Sequence, residues 1–239
     1  MKFYKALDSI KLKKYSEVDK KQFALSFFSK SGFKSSKLFD KELKKKVSNF
    51  FADEKRSSLF LSKELTGLKG DFLVLRDFNK NKSEYKKYAW MKGLFANLDK
   101  YAVENAVIYA DTSHLSKDDN FLFDLAKTAE KASYRYTDTN PNTKKELILK
   151  NVSLTVESAS AAQKRVVELG YNVGSGANTA RNLGDRPANH ATPTYIANAV
   201  KGLAKDIGGF SVEILEEKDM QKLGMGCLLS VSRGSIEPA

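Results

Sequence analysis

The sequence contains few residues of the types that build covalent or metal-bound scaffolds. It has one cysteine, two histidines and four prolines in 239 residues. A single cysteine excludes an internal disulfide, and the position of Cys227 beside Leu228 and Leu229 predicts a buried, unreactive thiol.

Long hydrophobic runs and targeting segments are also missing. No apolar run approaches the roughly 20 residues that cross a bilayer, so we expect no membrane partner. The first fifteen residues carry several lysines but no continuous apolar stretch and no small-residue cleavage site. These features predict a cytoplasmic protein of ordinary globular composition.

An excess of positive charge is confined to one part of the chain. Residues 1–150 hold 32 Lys and Arg against 20 Asp and Glu, whereas residues 151–239 hold 9 of each. Clustered positive charge attracts polyanions, but lysine-rich runs such as Lys44-Lys45-Lys46 commonly only face water. Both interpretations remain open: a solvated lysine-rich surface, and a surface that binds nucleic acid.

Strand-like and helix-like segments alternate through the first 157 residues. The short apolar runs 72–75 and 106–109 and the alternating stretch 146–157 predict strands. Apolar residues spaced by three and four predict helices that start near Ser83 and Asn120. Before them, residues 23–28 predict a strand and residues 38–51 a lysine-rich amphipathic helix. Such alternation indicates a largely parallel sheet covered on both faces.

A different pattern begins near Ser160. One long helix is predicted to end before Pro187, because the residue that precedes a proline is pushed out of the helical region. Thr192-Pro193 predicts the start of a second helix, and Gly208-Gly209 predicts its end. Beyond it we expect a strand with Phe210, Val212 and Ile214 alternating, a short helix over 216–223, and an extended segment over 228–231.

The expected fold is therefore α/β. Residues 1–157 form a basic, three-layer α/β/α domain with a mixed, mostly parallel sheet. Residues 158–191 form a connecting helix and turn, and residues 192–239 contribute the first elements of a second α/β domain.

No group of residues in the sequence has the spacing of a catalytic or metal site. Neither His114 nor His190 has a Cys, His or carboxylate partner at metal-ligand spacing, and the nearness of Asp111 and Ser113 to His114 does not make a triad, because triads are assembled from distant segments. The glycines at 170, 174 and 176 lie inside a helical pattern, which indicates close helix packing rather than a phosphate loop. We predict no catalytic residue and no metal ligand in this chain.

Three sequence blocks between 180 and 235 have a specific order and spacing. The first fits an Ala-Arg-x-Leu-x-x-x-Pro-Ala-Asn-x-x-Thr-Pro pattern, the second reads Leu-Gly-Met-Gly, and the third ends in Gly-Ser. The matching residues are Ala180, Arg181, Leu183, Pro187, Ala188, Asn189, Thr192, Pro193, Leu223, Gly224, Met225, Gly226, Gly234 and Ser235. The first block resembles the motif that joins the two domains of leucyl aminopeptidases, a family of dinuclear metallopeptidases, and the other two blocks resemble further sequence signatures of that family.

The resemblance implies a homohexameric exopeptidase that releases N-terminal residues, preferably leucine, from peptides. It also implies two divalent metals, Mn or Zn, which activate a water molecule and polarise the scissile carbonyl. The family holds them in a Gly-Lys-Gly-x-x-x-Asp-x-Gly-Gly motif and an Asn-Thr-Asp-Ala-Glu-Gly-Arg motif, and neither string occurs in this sequence. We therefore expect these metals to bind only the full-length enzyme and this chain to be inactive alone.

Two alternatives stay open beside this interpretation. Some bacterial members of the resembling family also bind DNA, and the positive excess of this chain lies in its N-terminal domain. The chain also fits a naturally truncated, non-catalytic subunit.

Overall fold

The computed structural model describes residues 5–17, 23–28, 41–56, 58–62, 70–76, 83–109, 118–139, 148–156 and 158–239. His114 lies outside these residues. Contacts divide the chain into two compact units. The sheet unit comprises residues 5–135 and 145–175, and the carboxyl-terminal unit comprises residues 1–4, 136–144 and 176–239. The domain limits that the sequence suggests at 157 and 191 stay predictions.

Six strands of the sheet unit form one sheet in the order β1-β6-β5-β2-β4-β3. All neighbouring pairs are parallel except the antiparallel pair of β3 with β4. The strands are β1 (Ser9–Lys14), β2 (Phe23–Phe28), β3 (Ser58–Leu61), β4 (Phe72–Arg76), β5 (Asn105–Tyr109) and β6 (Asn151–Val156). The mostly parallel sheet predicted from the sequence is confirmed.

Seven α-helices lie in the described part of the chain. In the sheet unit, α1 to α3 connect strands, and α4 begins in that unit after β6. Their bounds are α1 (Lys41–Ala52), α2 (Glu84–Lys100), α3 (Asp119–Ala132), α4 (Ala161–Gly184), α5 (Pro193–Ile207), α6 (Glu217–Lys222) and α7 (Gly226–Ser232).

The core of the sheet unit has two parts, one on each face of the sheet. Along β4, Leu73 and Leu75 join a large cluster with residues of α2, α3 and α4, while Val74 joins a smaller cluster with residues of α1. Successive side chains of a strand point to opposite faces, so this division places helices on both sides of the sheet. The three-layer α/β/α prediction is confirmed.

The glycines of α4 allow this helix to approach α3 closely. A Cβ atom built on Gly170 would lie 2.4 Å from the carbonyl oxygen of Phe123, and one on Gly174 would lie 2.9 Å from Cβ of Glu130. Side chains at these two positions would overlap α3. The prediction of close helix packing is confirmed for Gly170 and Gly174.

Two segments of the carboxyl-terminal unit differ from the sequence-based predictions. Residues 210–216 form no strand, and residues 228–231 lie in α7 rather than in an extended segment. The backbone N–H and C=O groups of a strand need a neighbouring strand, and residues 176–239 contain no strand that could pair with them. A helix, in contrast, forms most of its backbone hydrogen bonds within itself. Short apolar runs do not distinguish the two structures by periodicity. The prediction of a buried thiol was also wrong, because Cys227 is exposed in α7.

Candidate functional site

The first sequence block folds as a helix end, a turn and a new helix start. After α4 ends at Gly184, the Asp185 backbone N–H donates to the Arg181 carbonyl at 2.8 Å. The Pro187 carbonyl then accepts from the N–H groups of His190 at 2.8 Å and Ala191 at 2.9 Å. These bonds fix the reversal of the chain between α4 and α5.

The start of α5 follows the predicted capping pattern. The Thr192 hydroxyl oxygen accepts a hydrogen bond from the Tyr195 backbone N–H at 3.2 Å, and Pro193 occupies the first helical turn. A side-chain oxygen at this position satisfies one of the free N–H groups of the first turn, and proline has no N–H to leave unpaired. Thr192 and Pro193 therefore have a structural role in this block.

Arg186 connects three parts of the carboxyl-terminal unit. Its guanidinium Nη2 donates to the Asp138 carboxylate and to Asn182 Oδ1, the latter at 3.2 Å. The guanidinium also lies over the Tyr195 ring, with 5.1 Å from Cζ to the ring centroid. Asn182 is buried and donates through Nδ2 to the same Asp138 carboxylate at 3.4 Å. A guanidinium that donates through one nitrogen to a carboxylate and an amide oxygen, and that stacks on an aromatic ring, fixes the orientation of the turn.

This cluster was not predicted from the sequence. Arg186 occupies an unspecified position in the pattern of the first block, and Asp138 lies 48 residues before it in the chain. No local periodicity relates two side chains so far apart in sequence. The third nitrogen of this guanidinium, Nε, is buried and has no hydrogen-bond partner among the described residues. The guanidinium is therefore closely enclosed.

The second block, Leu223 to Gly226, ends α6. Gly224 has a φ of 71°, a left-handed conformation that glycine adopts without a Cβ clash. The Met225 N–H donates to the Met220 carbonyl at 3.0 Å, and the Gly224 N–H donates to the Gln221 carbonyl at 3.1 Å. This pair of bonds is the Schellman arrangement, so the glycine of Leu-Gly-Met-Gly acts here as a helix terminator.

The third block lies beside an open cleft of about 710 Å³ in the carboxyl-terminal unit. The residues that line the cleft include Glu217, Leu229 and Arg233 and the segment from 235 to 238. The Ser235 N–H donates to the Ser232 carbonyl at 2.9 Å, and the Ala239 N–H donates to the Glu217 carboxylate at 3.0 Å. These contacts close a turn and do not converge on a position for a reacting atom.

The described residues contain no set of ligands for a metal ion. Across the ranges that the structure covers, no three His, Cys, Asp or Glu side chains cluster together. His190 is exposed in the turn between α4 and α5. The carboxylate of Asp118 instead caps α3, and that of Asp219 accepts a hydrogen bond from the Glu216 N–H at the start of α6 at 3.3 Å.

Ionisable groups with displaced pKa values lie in the sheet unit and have structural explanations. Burial acts against the charged forms of Lys87 and Asp124, yet their mutual ion pair at 2.8 Å outweighs it. The pKa of Lys87 is therefore raised and that of Asp124 is lowered, with Glu84 and Lys127 reinforcing the effect. Burial first, and then the charges of Glu130 and Asp8, raise the pKa of Tyr171 to about 12.

The structure therefore places the predicted block residues in three local arrangements rather than in one site. The residues from Ala180 to Pro193 form a helix end and a turn, those from Leu223 to Gly226 end α6, and Gly234 and Ser235 follow α7. Within the described residues, none of them faces a catalytic constellation.

Comparison with known proteins shows that the region containing these blocks matches a protein family. The model described as "Cytosol aminopeptidase family, catalytic domain" matches residues 178–239. A probable cytosol aminopeptidase of Nitrosococcus oceani is 39% identical over 117 residues, which cover 48% of this chain and 23% of the relative. Another, from Aromatoleum aromaticum, is 30% identical over 195 residues, covering 78% of this chain and 39% of the relative. The chain thus spans well under half the length of these two relatives.

Solved structures show the same fold. A tomato leucine aminopeptidase variant superposes with a TM-score of 0.72 at 17% identity, covering 96% of this chain and 49% of that one. The bottromycin maturation enzyme BotP, described in complex with Mn, superposes with a TM-score of 0.64 at 17% identity, covering 92% of this chain and 44% of BotP. With the catalytic-domain match over residues 178–239 and the relatives that align across most of the sequence, these findings place the chain in the cytosol aminopeptidase family.

Proposed function

We propose that this chain is the N-terminal portion of a leucyl aminopeptidase, a metal-dependent exopeptidase that releases N-terminal residues from peptides and prefers leucine. The match of residues 178–239 to the family's catalytic domain carries this proposal. The sheet unit supplies the N-terminal α/β domain, and the carboxyl-terminal unit supplies the first elements of the catalytic domain.

The metals of the enzyme are proposed to be two divalent ions, Mn or Zn, and BotP is described as a complex with Mn. The described residues of this chain do not fit such a pair, because they offer no cluster of three ligating side chains. Dinuclear sites need several carboxylates on one pair of ions. We therefore propose that the catalytic residues and metal ligands are not in this chain, and that residues 1–239 alone are inactive.

Hydrolysis of leucyl p-nitroanilide tests both parts of this proposal. Residues 1–239 with added Mn²⁺ or Zn²⁺ should release no p-nitroaniline above a no-protein control. A fusion of residues 1–239 to the portion of the Nitrosococcus oceani relative that continues beyond the aligned region should release it, and a chelator should stop the reaction. Metal-dependent hydrolysis by residues 1–239 alone would show that the catalytic residues are present.

The size of the native polypeptide tests the alternative of a truncated, non-catalytic subunit. An antibody raised against this chain should detect a species near twice its 26.7 kDa mass. A native species of 26.7 kDa itself would support the non-catalytic subunit instead. The oligomeric state of the enzyme is proposed to be a homohexamer, and light scattering of the fusion would measure its mass.

The enzyme is further proposed to act in the cytoplasm. Within the described residues, no helix is both long and apolar enough to cross a membrane.

DNA binding by the basic N-terminal domain is a second candidate function. The observation that favours it is that residues 1–150 carry the whole formal charge of +12. Contacts between lysines and phosphates release counterions, so retardation of duplex DNA should weaken steeply as salt rises. If duplex DNA is not retarded even at low salt, the domain does not bind DNA and its lysine-rich surface only faces water.

A further inference from the structure

Strand β1 lies at one edge of the sheet. Among the described strands its one neighbour is β6, and β3 forms the opposite edge. The outer side of an edge strand carries backbone N–H and C=O groups without a ladder partner, and an extended peptide can add there as a further strand. Whether β1 can accept such a strand depends on which of its backbone groups remain unpaired.

The hydrogen bonds around β6 show how β1 is oriented. The Ser9 N–H donates to the Lys150 carbonyl at 3.4 Å, and the Asp8 N–H shares this acceptor at 2.8 Å just before the strand begins. The Asn151 N–H points away from β1 and donates to the Glu104 carbonyl at 3.2 Å. Alternate residues of a strand bond to a given neighbour, so the backbone groups of Ser9 are directed toward β6.

The same alternation directs the backbone groups of Ile10 and Leu12 away from β6. The next outward N–H belongs to Lys14, and it donates to the Glu17 carboxylate at 3.0 Å. No other described residue bonds to the outward groups of Ile10 and Leu12, although these two residues are only 6% and 5% exposed. A shielded backbone group without a partner costs free energy, so a chain that bonds these groups is stabilised here.

A cleft of about 610 Å³ lies beside these groups, and we call it the edge cleft. Residues 8–13 line it on the side of β1, and Lys164, Glu168 and Asn172 line it on the side of α4. The three α4 residues are spaced by four and therefore share one face of that helix. The outward groups of β1 thus face a space that can hold another chain segment.

One face of β1 carries positive charge at the edge cleft. The side chains of Lys11 and Lys13 lie on the face opposite the buried side chains of Ile10 and Leu12, because successive side chains of a strand alternate. Neither lysine forms an ion pair with a described residue. Two positive charges spaced by two residues match the spacing of alternate side chains on an added strand.

The carboxylates of the edge cleft do not neutralise this lysine face. Asp8, Glu17 and Glu168 line the cleft, but Glu17 accepts the Lys14 N–H and Asp8 precedes the strand. Helix α4 packs on the other face of the sheet, where its Val167 joins the same core cluster as the apolar residues of β1. Glu168 therefore lies across the sheet from the lysines.

We propose that the edge cleft binds an extended acidic peptide segment of a partner protein, which pairs with β1 as a further strand of the sheet. The backbone of this segment bonds the outward groups of Ile10 and Leu12. Its alternate side chains are carboxylates that face Lys11 and Lys13, since opposite charges on facing strands stabilise their pairing. All of these residues lie in the sheet unit, so the inference goes beyond the proposed function and does not rest on it.

The backbone geometry favours a peptide over a nucleic acid. A peptide offers both donors and acceptors to the N–H and C=O groups of β1, whereas a phosphate backbone offers acceptors alone. The lysines add selectivity, because they repel basic segments and attract acidic ones.

Amide hydrogen exchange of residues 1–239, followed by nuclear magnetic resonance, tests the pairing at single residues. The probe is the peptide acetyl-Glu-Val-Glu-Thr-Glu-Val-amide. At saturation, the amides of Ile10 and Leu12 should exchange at least about tenfold more slowly. The amide of Lys11 faces β6 and should change by less than about twofold. Unchanged exchange at Ile10 and Leu12 would overturn the proposal.

Two N-methylated forms of the peptide separate strand pairing from simple charge attraction. One form carries the methyl groups on its three glutamates and the other on the three residues between them, so the charge is the same. Only one of these sets of N–H groups faces β1 in an added strand. Their affinities, measured by fluorescence polarisation, should differ at least about tenfold, because methylation removes the donor. Equal affinities would contradict strand pairing.

Charge reversal tests the lysine face. Lys11→Glu combined with Lys13→Glu should weaken peptide binding at least about tenfold, because like charges on facing strands repel. Lys41→Glu combined with Lys45→Glu, at exposed positions of α1, changes the net charge equally and should leave binding within about twofold. Circular dichroism verifies that both variants are folded. Equal effects of the two double substitutions would count against the edge cleft.

The complementary reversal needs no change in the protein. A peptide with lysine in place of each glutamate should bind the parent at least about tenfold more weakly, and equal affinity of the two peptides would overturn the choice of an acidic segment. Protection of Ile10 and Leu12 without any peptide would also overturn the proposal. Protection that rises with protein concentration would identify a second copy as the occupant, and protection independent of concentration would show that the chain covers its own edge.

Discussion

The carboxylate of Glu130 accepts a hydrogen bond from the backbone N–H of Leu7 at 2.9 Å. Its other oxygen accepts from the N–H of Ala6 at 2.6 Å. Glu130 is fully buried on α3, and the Leu7 carbonyl accepts in turn from the Tyr171 hydroxyl of α4 at 2.7 Å. The segment just before β1 is thus held to two helices that lie more than 100 residues later in the chain.

Replacing Glu130 with Gln should lower the free energy of unfolding by about 2–3 kcal/mol. The amide oxygen can accept only one of the two bonds, and the amide NH₂ would face a backbone N–H, which leaves a buried donor unpaired. Urea unfolding followed by circular dichroism measures the change. Glu168→Gln, at an exposed position of α4, serves as the control and should stay within about 0.5 kcal/mol of the parent. A similar loss in both variants would contradict the role of Glu130.

Gly174→Ala should destabilise the protein, although alanine favours helix formation over glycine by about 1 kcal/mol. The new Cβ would lie 2.9 Å from both Glu130 Cβ and the Lys127 carbonyl oxygen, and overpacking of this kind costs about 1–3 kcal/mol. Gly93→Ala, inside α2 with open space around the position, should instead gain up to about 1 kcal/mol. Thermal unfolding of the two variants should therefore shift in opposite directions.

Stability above pH 10 should depend on Tyr171. Its pKa is about 12 in the folded protein against an ordinary value of 10.0, so the folded state holds the hydroxyl proton more tightly. The stabilisation is complete below pH 10 and is lost as the pH rises toward 12, by about 1–3 kcal/mol. The difference in unfolding free energy between the parent and Tyr171→Phe should shrink over this interval. A difference that stays constant from pH 9 to about 12 would contradict the assigned pKa.

Arg186→Lys should loosen the turn between α4 and α5. Lysine has no planar group that could lie over Tyr195 while one of its nitrogens bonds Asp138 and Asn182, and the loss is about 1–2 kcal/mol of local stability. Hydrogen exchange at the start of α5 should accelerate. Arg233→Lys, at an exposed position, should leave that exchange unchanged. Equal rates in the two variants would show that the Arg186 cluster does not hold the turn.

The elements predicted well from the sequence are those with local signals. The run at 72–75 is β4, and Thr192-Pro193 begins α5, because strand periodicity and helix capping depend on residues close in sequence. The prediction failed where structure depends on a partner. Residues 210–214 have the alternation of a strand but form none in this structure, and residues 228–231 form a helix instead of an extended segment.

The side-chain clusters inside each unit could not be predicted from the sequence. The helical pattern around Glu130 does not indicate its partners Ala6 and Leu7, and the residues around Arg186 do not indicate Asp138. Each cluster joins side chains whose positions only the completed fold brings together. The three family blocks were recognisable for the opposite reason, since their residues lie in fixed order along the chain.

The pairing of β1 with β6 has a consequence for synthesis of the chain. Ser9 lies in register with Asn151, to which its hydroxyl also donates a hydrogen bond across a separation of 142 residues. At a translation rate of about 5–20 residues per second, β1 emerges from the ribosome roughly 7–30 s before β6, its one neighbour among the described strands. During this interval β1 has no partner strand, and the lysines at 11, 13 and 14 give it positive charge. Charge on an unpaired strand opposes premature association with other nascent chains.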